Sequence, residues 1–374
     1  MQIVVNTRFL LKDRLDGIGW FGYQTLKRIT EAQKDIHFVF LFDRHFDEEF
    51  VFEDNVTPMS LGPQARHAFL FYAWYQFSVK SVLNKLKPDL FLSPDGMLAL
   101  GANCKQLPVI HDINFKHFPR DVPFWASKFY NRFFPLYAKE ATRIATVSEY
   151  SKKDIVESYG INPDKIDVVY NGINEGFTPA SEEIKKKVKD KLTDGKEFFV
   201  FVGSLHSRKN IKRLLLAFEA FKTETNSDFK LVLAGAAFWG MDELKQTLAG
   251  MKHTDEVIFT GRMSSQGLNE VLGSAFALTF VPYFEGFGIP LIEAMECDVP
   301  IISSNATSMP EVAGDAALFV NPYEVNEIKN AMIYLYNDRD KCRELVKAGR
   351  IQKNKFSWDK SADLLWKSIE KALA

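Results

Sequence analysis

Phe198-Phe199-Val200-Phe201-Val202 is apolar at every position. A strand with one solvated face alternates apolar and polar side chains, so an unbroken apolar run must be covered on both faces. Shorter runs of this kind recur along the chain, with helical patterns between them. In the first half, strands are expected at residues 3–6, 38–42, 89–92, 109–111, 144–147 and 167–170, and helices at 19–32, 66–87, 123–139 and 151–159. In the second half, strands are expected at 198–203, 230–235, 257–261, 277–281, 300–303 and 317–320, and helices at 212–225, 242–249, 265–274, 290–296 and 324–336. Such alternation predicts an α/β fold of parallel, doubly wound sheets with helices on both faces. A length of 374 residues suits two such domains. Gly172, Gly176, Pro179 and Ser181 punctuate the join, ahead of a charged helix at 182–191. The domains are therefore placed at 1–175 and 176–357, with Ser357 as the N-cap of a last helix from Trp358.

Composition excludes several classes of function. With 46% hydrophobic and 25% charged residues, the chain is neither disordered nor collagen-like. Lys and Arg number 47 against 48 Asp and Glu, so no global field exists to hold nucleic acid. Cys104, Cys297 and Cys342 are far apart, which fits neither a disulfide framework nor a CxxC metal site and points to a reducing, cytoplasmic compartment. The first residues run directly into a strand pattern, so no signal peptide is expected, and no apolar run is long enough for a bilayer-spanning helix. The 33 Phe residues must be housed in cores, a ligand groove or a membrane-facing patch.

In open α/β sheets, ligands bind beyond the carboxyl ends of the strands, so segments that follow strands are the informative ones. Asp16-Gly17-Ile18-Gly19-Trp20 leads into a helix. Its glycines allow close backbone approach and its amides suit an anion such as a diphosphate; the same residues also read as a tight turn. His111 ends the strand at 109–111. It is either a group that donates to a sugar hydroxyl or shuttles a proton, or a structural histidine paired with Asp112. After the strand at 198–203, Gly203 and Ser204 precede Arg208 and Lys209. Two cations beside a helix start form a diphosphate cradle or a solvated basic pair. The pattern at 203–210 is neither a P-loop nor a GxGxxG after a strand, which counts against a nicotinamide cofactor there.

The most specific block runs from 280 to 293. Glu285, Gly286, Phe287 and Gly288 form a loop, Pro290 opens a helix, and Glu293 lies one turn into it. Two carboxylates at this separation can accept from the vicinal hydroxyls of two different sugar rings, and the loop amides can donate to hydroxyl or phosphate oxygens. The alternative is a helix-capping Glu285 and a surface Glu293. Leu291, Ile292, Ala294 and Met295 around Glu293 argue against a solvated face. Glu311, after the next strand, reads as a local cap or pair.

Taken together these residues resemble the retaining glycosyltransferases of family 4, whose GT-B fold consists of two facing Rossmann-like domains. The resemblance is carried by Asp16-Gly17-Ile18-Gly19, His111-Asp112, Val147-Ser148-Glu149-Tyr150-Ser151, Tyr170-Asn171-Gly172-Ile173, residues 203–210, and Glu285-Gly286-Phe287-Gly288 with Glu293. The last pair matches the family's E-x7-E motif, and the surroundings of His111 and of 203–210 are similar to the mannosyltransferase-like branch. The resemblance implies that Arg208 and Lys209 hold the donor diphosphate and stabilise its departing charge. It implies that Glu293 accepts from the nucleotide ribose, while Glu285 and the amides of Phe287 and Gly288 bind the donor sugar. His111 would sit near the transferred sugar, Gly17 and Gly19 would approach the diphosphate from the first domain, and Arg262 and Met263 would flank the base. The last helix, 358–374, would cross back to the first domain. The implied donor is GDP-mannose or a UDP-hexose, with no cofactor and no metal, because cations and helix dipoles take the place of Mg²⁺. Two departures stand out: Asp16 occupies a position where many relatives have Gly, and Ser204 one where many have Arg.

The implied activity is transfer of a hexose, mannose favoured, to a hydroxyl of a glycan or lipid-linked acceptor in cell-surface polysaccharide assembly, with retention of configuration. An epimerase or phosphorylase on the same fold, or a non-catalytic nucleotide-sugar binder, are the alternatives. Residues 66–77 and 123–134 are aromatic and partly basic. They suit either peripheral contact with a membrane or lipid-linked glycan, or helix–sheet packing beside an acceptor groove.

Overall fold

The computed structural model describes residues 1–12, 14–236 and 241–374. Contacts divide the chain into two compact units, Met1–Gly172 with Ser357–Ala374, and Ile173–Phe356. The division thus falls slightly ahead of 175/176, and the chain returns to the first unit for its last helix.

The first unit holds a five-stranded parallel sheet in the order β3-β2-β1-β4-β5. The strands are β1 (Gln2–Asn6), β2 (His37–Phe42), β3 (Val56–Ser60), β4 (Leu90–Ser93) and β5 (Lys105–Pro108). β6 (Ile144–Thr146) and β7 (Ile166–Val168) pair with each other, and a parallel bridge between Val109 and Ala145 links them to the end of β5. The strand expected at 109–111 is corrected accordingly. The register with β4 ends at Pro108, though the Val109 amide still donates to the Ser93 carbonyl at 2.9 Å; Val109 and Ile110 then cross to β6, and His111 has left the sheet. β3 was not expected from the sequence. It contains Pro58 and lies at the sheet edge, where a missing amide donor is tolerated.

The helix expected over 66–87 is built as Ala68–Ala73, a π-helical stretch Trp74–Val79, and Lys80–Leu86. Trp74 and Tyr75 in the π stretch are fully buried, whereas Phe77 is exposed. Helix Gly17–Ala32 is capped by Asp16, whose Oδ1 accepts from the Gly19 amide at 3.0 Å. Helix Trp358–Leu373 is capped by Ser357. It packs on helix Gly17–Ala32, where Arg28 Nε donates to Asp359 at 2.6 Å, and on β7, where Ser368 and Lys371 donate to Asp167.

The second unit is a six-stranded parallel sheet in the order β10-β9-β8-β11-β12-β13. Its strands are β8 (Phe198–Val202), β9 (Lys230–Ala234), β10 (Val257–Gly261), β11 (Ala277–Phe280), β12 (Ile301–Ser304) and β13 (Ala317–Val320). All five residues of β8 are buried, as its unbroken apolar pattern requires. Helix Arg339–Gln352, unassigned from the sequence, is mostly polar and buries only Cys342, Leu345, Gly349 and Gln352. Strand order reverses between β1 and β4 in the first unit and between β8 and β11 in the second. These two reversal points are where open α/β sheets form ligand crevices.

A Cβ at Gly172 would lie 2.3 Å from the backbone nitrogen of Trp358. Gly172→Ala is therefore expected to destabilise the first unit by roughly 1–3 kcal/mol, the usual range for overpacking. Urea titration checks this, with a lower midpoint and an unchanged slope as the expected result.

Candidate functional site

Two loops leave the reversal point of the second unit, one after β8 and one after β11. Ser207–Lys209 form a 3₁₀ turn, followed by Asn210 in a left-handed conformation with φ of 64°. Asn210 Nδ2 donates to the carbonyls of Val281 at 3.0 Å and Pro322 at 2.6 Å, which clamps the first loop to the second. The Tyr283 amide adds a bond to the Arg208 carbonyl at 3.1 Å. Across this junction Arg208 Nη1 donates to Glu285 Oε2 at 2.6 Å, and Lys209 Nζ donates to the same oxygen. The Lys209 ammonium also lies 4.8 Å from the centre of the Phe280 ring. Burial pushes the Glu285 carboxyl up, but the Arg208 guanidinium and the Lys209 ammonium outweigh it and hold the group below the usual carboxylate range. Glu285 is thus the anion shared by both cations, not a helix cap, and Arg208 and Lys209 are not a solvated pair.

The Glu285 backbone is fastened from the β12 side. Its amide donates to Thr307 Oγ1 at 3.3 Å, and Ser308 Oγ donates to its carbonyl at 2.8 Å. Gly286 and Phe287 follow, and Gly288 then turns the chain into helix Ile289–Glu296 with φ of 94°. The positive φ strains any residue with a side chain at Gly288, and a Cβ there would meet Met309 Cε at 2.6 Å, so the Met309 side chain would have to shift. Glu293, one turn into the helix, is only 5% exposed. Burial raises its pKa to about 7, against a lowering contribution from Asn174, whose Nδ2 donates to Glu293 Oε1 at 3.2 Å. The surface-charge alternative for Glu293 is removed.

The other expected residues of this unit are spread along the same end of the sheet. Gly203 and Ser204 begin the loop after β8, and the Gly203 amide donates to the Ala234 carbonyl at 2.9 Å. Arg262 and Met263 follow β10, which β9 separates from β8.

In the first unit, His111 Nε2 donates to the Pro94 carbonyl at 2.9 Å, which leaves Nδ1 as the acceptor nitrogen. Phe21 meets the ring edge-on at 5.0 Å. Burial lowers the pKa of His111 against the raising effects of the Pro94 carbonyl and nearby carboxylates, so the neutral ring is favoured. Asp112 does not pair with it; its Oδ1 accepts from the Asn114 amide at 3.0 Å. Gly17 is exposed with open space at its Cβ position, whereas Gly19 is buried and its amide is already bonded to Asp16. One amide of that helix start, that of Gly19, is thus taken by the chain's own carboxylate.

Several residues of the site were not singled out from the sequence. Asn174 adjoins the Asn171-Gly172-Ile173 motif, and Asn210 ends the basic loop. Thr307 and Ser308 lie in a segment noted only for Glu311, which falls in the first turn of helix Met309–Ala313. The available signal was position, since each is polar and stands between a strand and a helix. Among the described residues, no group of three or more His, Cys, Asp or Glu is arranged to hold a metal ion.

Comparison with known proteins gives the following matches. The family described as Glycosyl transferases group 1 matches residues 182–352, and Glycosyltransferase Family 4 matches residues 16–177. O-antigen chain mannosyltransferase B of Escherichia coli is 31% identical over 221 residues, which is 59% of this chain and 58% of that protein. O-antigen chain mannosyltransferase RfbU of Salmonella typhimurium is 30% identical over 228 residues, 61% of this chain and 60% of that one. Each match thus spans less than two thirds of the relative's own length. Among solved structures, sucrose-phosphate synthase from Thermosynechococcus elongatus superposes with a TM-score of 0.77 over 99% of this chain and 98% of that one, at 16% identity, a likeness of fold.

The Glu293 carboxyl keeps its proton in the folded protein up to about pH 7, but ionises near 4.5 in a solvated chain. Its stabilising contribution is full below the lower value and is lost as pH rises through the higher one. Glu293→Gln is expected to gain stability relative to the parent between about pH 5 and about pH 8, read in urea titrations. Parallel profiles for the two proteins would overturn the assignment.

Proposed function

The chain belongs to the family 4 glycosyltransferases of GT-B fold, and on that premise we propose that it transfers a hexose, mannose favoured, from a nucleotide diphosphate sugar to a hydroxyl of a glycan or lipid-linked acceptor. The observation that carries this reading is the Arg208–Glu285–Lys209 cluster at the reversal point of the second sheet. The names of the two O-antigen mannosyltransferases favour mannose and a role in polysaccharide assembly.

In the proposed reaction the bond between the anomeric carbon and the diphosphate oxygen breaks. The acceptor oxygen bonds to that carbon from the same face, and its proton passes to the leaving diphosphate. Configuration is retained without an enzymic nucleophile. Negative charge grows on the diphosphate as the bond breaks, so cations fixed there stabilise the transition state more than the ground state. Glu285 already fixes them. Its Oε2 faces both cations, and Oε1 is the oxygen offered to a sugar hydroxyl. Glu293, buried with one amide partner, suits a ribose whose hydroxyls donate to its ionised form. In this reading Arg208, Lys209 and the amides at the start of helix Ile289–Glu296 do the work of a metal, and none is required.

Thermal-shift titration against GDP, UDP, ADP and their sugar conjugates, with and without EDTA, tests the reading. One nucleotide series is expected to shift the melting point selectively and insensitively to EDTA, since ligand at a hundred times its Kd adds about 2.7 kcal/mol. Lys209→Ala is expected to lower kcat by roughly 10²–10³. Parental turnover in a folded Lys209→Ala protein would remove the cluster from the mechanism, and donor binding without any turnover would favour a non-catalytic binder.

We further propose that the first unit rests peripherally on an anionic membrane. Half of its aromatic helices packs inward, with Trp74, Tyr75, Phe129, Phe134 and Tyr137 buried. The other half faces solvent: Phe69 is 77% exposed, Trp125 75%, and Phe77 and Phe124 64% each. Residues 64–87 and 114–140 carry nine Lys or Arg against Asp121 and Glu140. No helix among the described residues is long and apolar enough to cross a membrane, so the contact would be interfacial. Co-flotation with phosphatidylglycerol vesicles is expected at low salt and should weaken as salt is added. Protein that stays at the bottom of the gradient at low salt would overturn the proposal.

A further inference from the structure

The reversal point of the first sheet, between β1 and β4, carries a buried polar cluster that the reading above does not use. Asn6 ends β1, and its Nδ2 donates to Tyr75 Oη at 2.8 Å and to Ser93 Oγ at 3.2 Å. Arg8 follows, and its Nε donates to Asp95 Oδ2 at 2.6 Å. Asp95 also receives Tyr75 Oη at 2.8 Å, Ser93 Oγ at 3.1 Å and the Met97 amide at 3.3 Å. Three neutral donors therefore hold Asp95 in place beside Arg8.

The geometry of the guanidinium sharpens this. Among the described residues its hydrogen bonds leave from Nε, to Asp95 and, at 3.4 Å, to Tyr75 Oη. The Arg8 side chain keeps 15% of its surface exposed, and among the described residues neither Nη group has a hydrogen-bond acceptor. The Phe71 ring lies 4.7 Å from the guanidinium carbon and backs it with apolar surface. An arginine with one edge locked by a carboxylate and the other edge open is a preorganised fork for a phosphate oxygen pair. A counter-ion serving only Asp95 has no need of an open edge.

We propose that Arg8 is the recognition point for a phosphate or diphosphate group of the acceptor, bound at the carboxyl ends of β1 and β4. The proposal rests on the transferase reading and adds that the acceptor is anionic. A lipid-linked diphosphate and a free sugar phosphate share this chemistry, and the choice of probe separates them.

The test is isothermal titration with inorganic phosphate and with farnesyl diphosphate in an Arg208→Gln/Lys209→Gln background, so that the donor-site cations contribute nothing. Arg8→Lys keeps Asp95 paired but loses the fork. Arg8→Gln/Asp95→Asn removes both charges and leaves no buried carboxylate alone. Circular dichroism confirms that each protein is folded. Both changes are expected to weaken binding by about tenfold or more, the loss typical of charge-assisted bonds. Tighter binding of farnesyl diphosphate than of phosphate assigns the lipid-linked source, and equal affinity the free one. Unchanged affinity in the folded variants, or no binding of either probe before Arg8 is altered, overturns the proposal. Nucleotide thermal shifts in Arg8 variants with Arg208 and Lys209 intact should match the parent. Their absence from the parent itself would sink the transferase reading while leaving phosphate binding at Arg8 to be judged separately.

Discussion

Oε2 of Glu285 accepts from Arg208 and Lys209 at once, and the second unit's ligand end is organised around that oxygen. Two unit charges about 4 Å apart repel by about 4 kcal/mol at an effective dielectric of 20, so two neighbouring cations would splay without an anion between them. The carboxylate turns that repulsion into a fixed geometry. The remaining features of the site serve this one contact. Asn210 fastens the loop bearing the cations to the loop bearing the anion, and Thr307 and Ser308 fix the Glu285 backbone. Gly288 lets the chain enter the next helix against Met309.

Two carboxylates of one short block end up with opposite acid–base character. Glu285 faces two cations and is held acidic, while Glu293 faces a single amide and is raised to about 7. Both are largely withdrawn from water, with 13% of the Glu285 side chain and 5% of Glu293 exposed, so what chiefly distinguishes them is their partners. In a free site, one is a standing anion and the other stands near the midpoint of its own titration at neutral pH. A hydroxyl-rich ligand that donates to Glu293 competes with a proton, whereas a phosphate near Glu285 competes with a carboxylate.

Much of this was legible in the chain. The unbroken apolar run of β8 announces a sheet covered on both faces, and Glu293 between Leu291, Ile292, Ala294 and Met295 announces its own burial. Arg208, Lys209 and Glu285 follow strands, where the fold places ligands. What the sequence hid depends on partners far along the chain. His111 takes its tautomer from the Pro94 carbonyl rather than from adjacent Asp112, and Asn174 matters only because a helix far downstream brings Glu293 to it. The glycine motif at 16–19 was legible as a helix start, but the side chain that closes it was not legible as a cap until Asp16 was seen bonded to Gly19. β3 was masked by Pro58, which only an edge strand accepts.

The Asp16 cap also bears on how this protein can diverge. A helix start is a backbone feature, and its positive end cannot be altered without rebuilding the helix. Here one of its amides, that of Gly19, is taken from within. The charge preference of the neighbouring strand end is left to side chains, Arg8 foremost, and side chains change one codon at a time. Under the proposal made for Arg8, single replacements at that strand end would retarget the first unit among anionic ligands, with the sheet and its capped helix left in place.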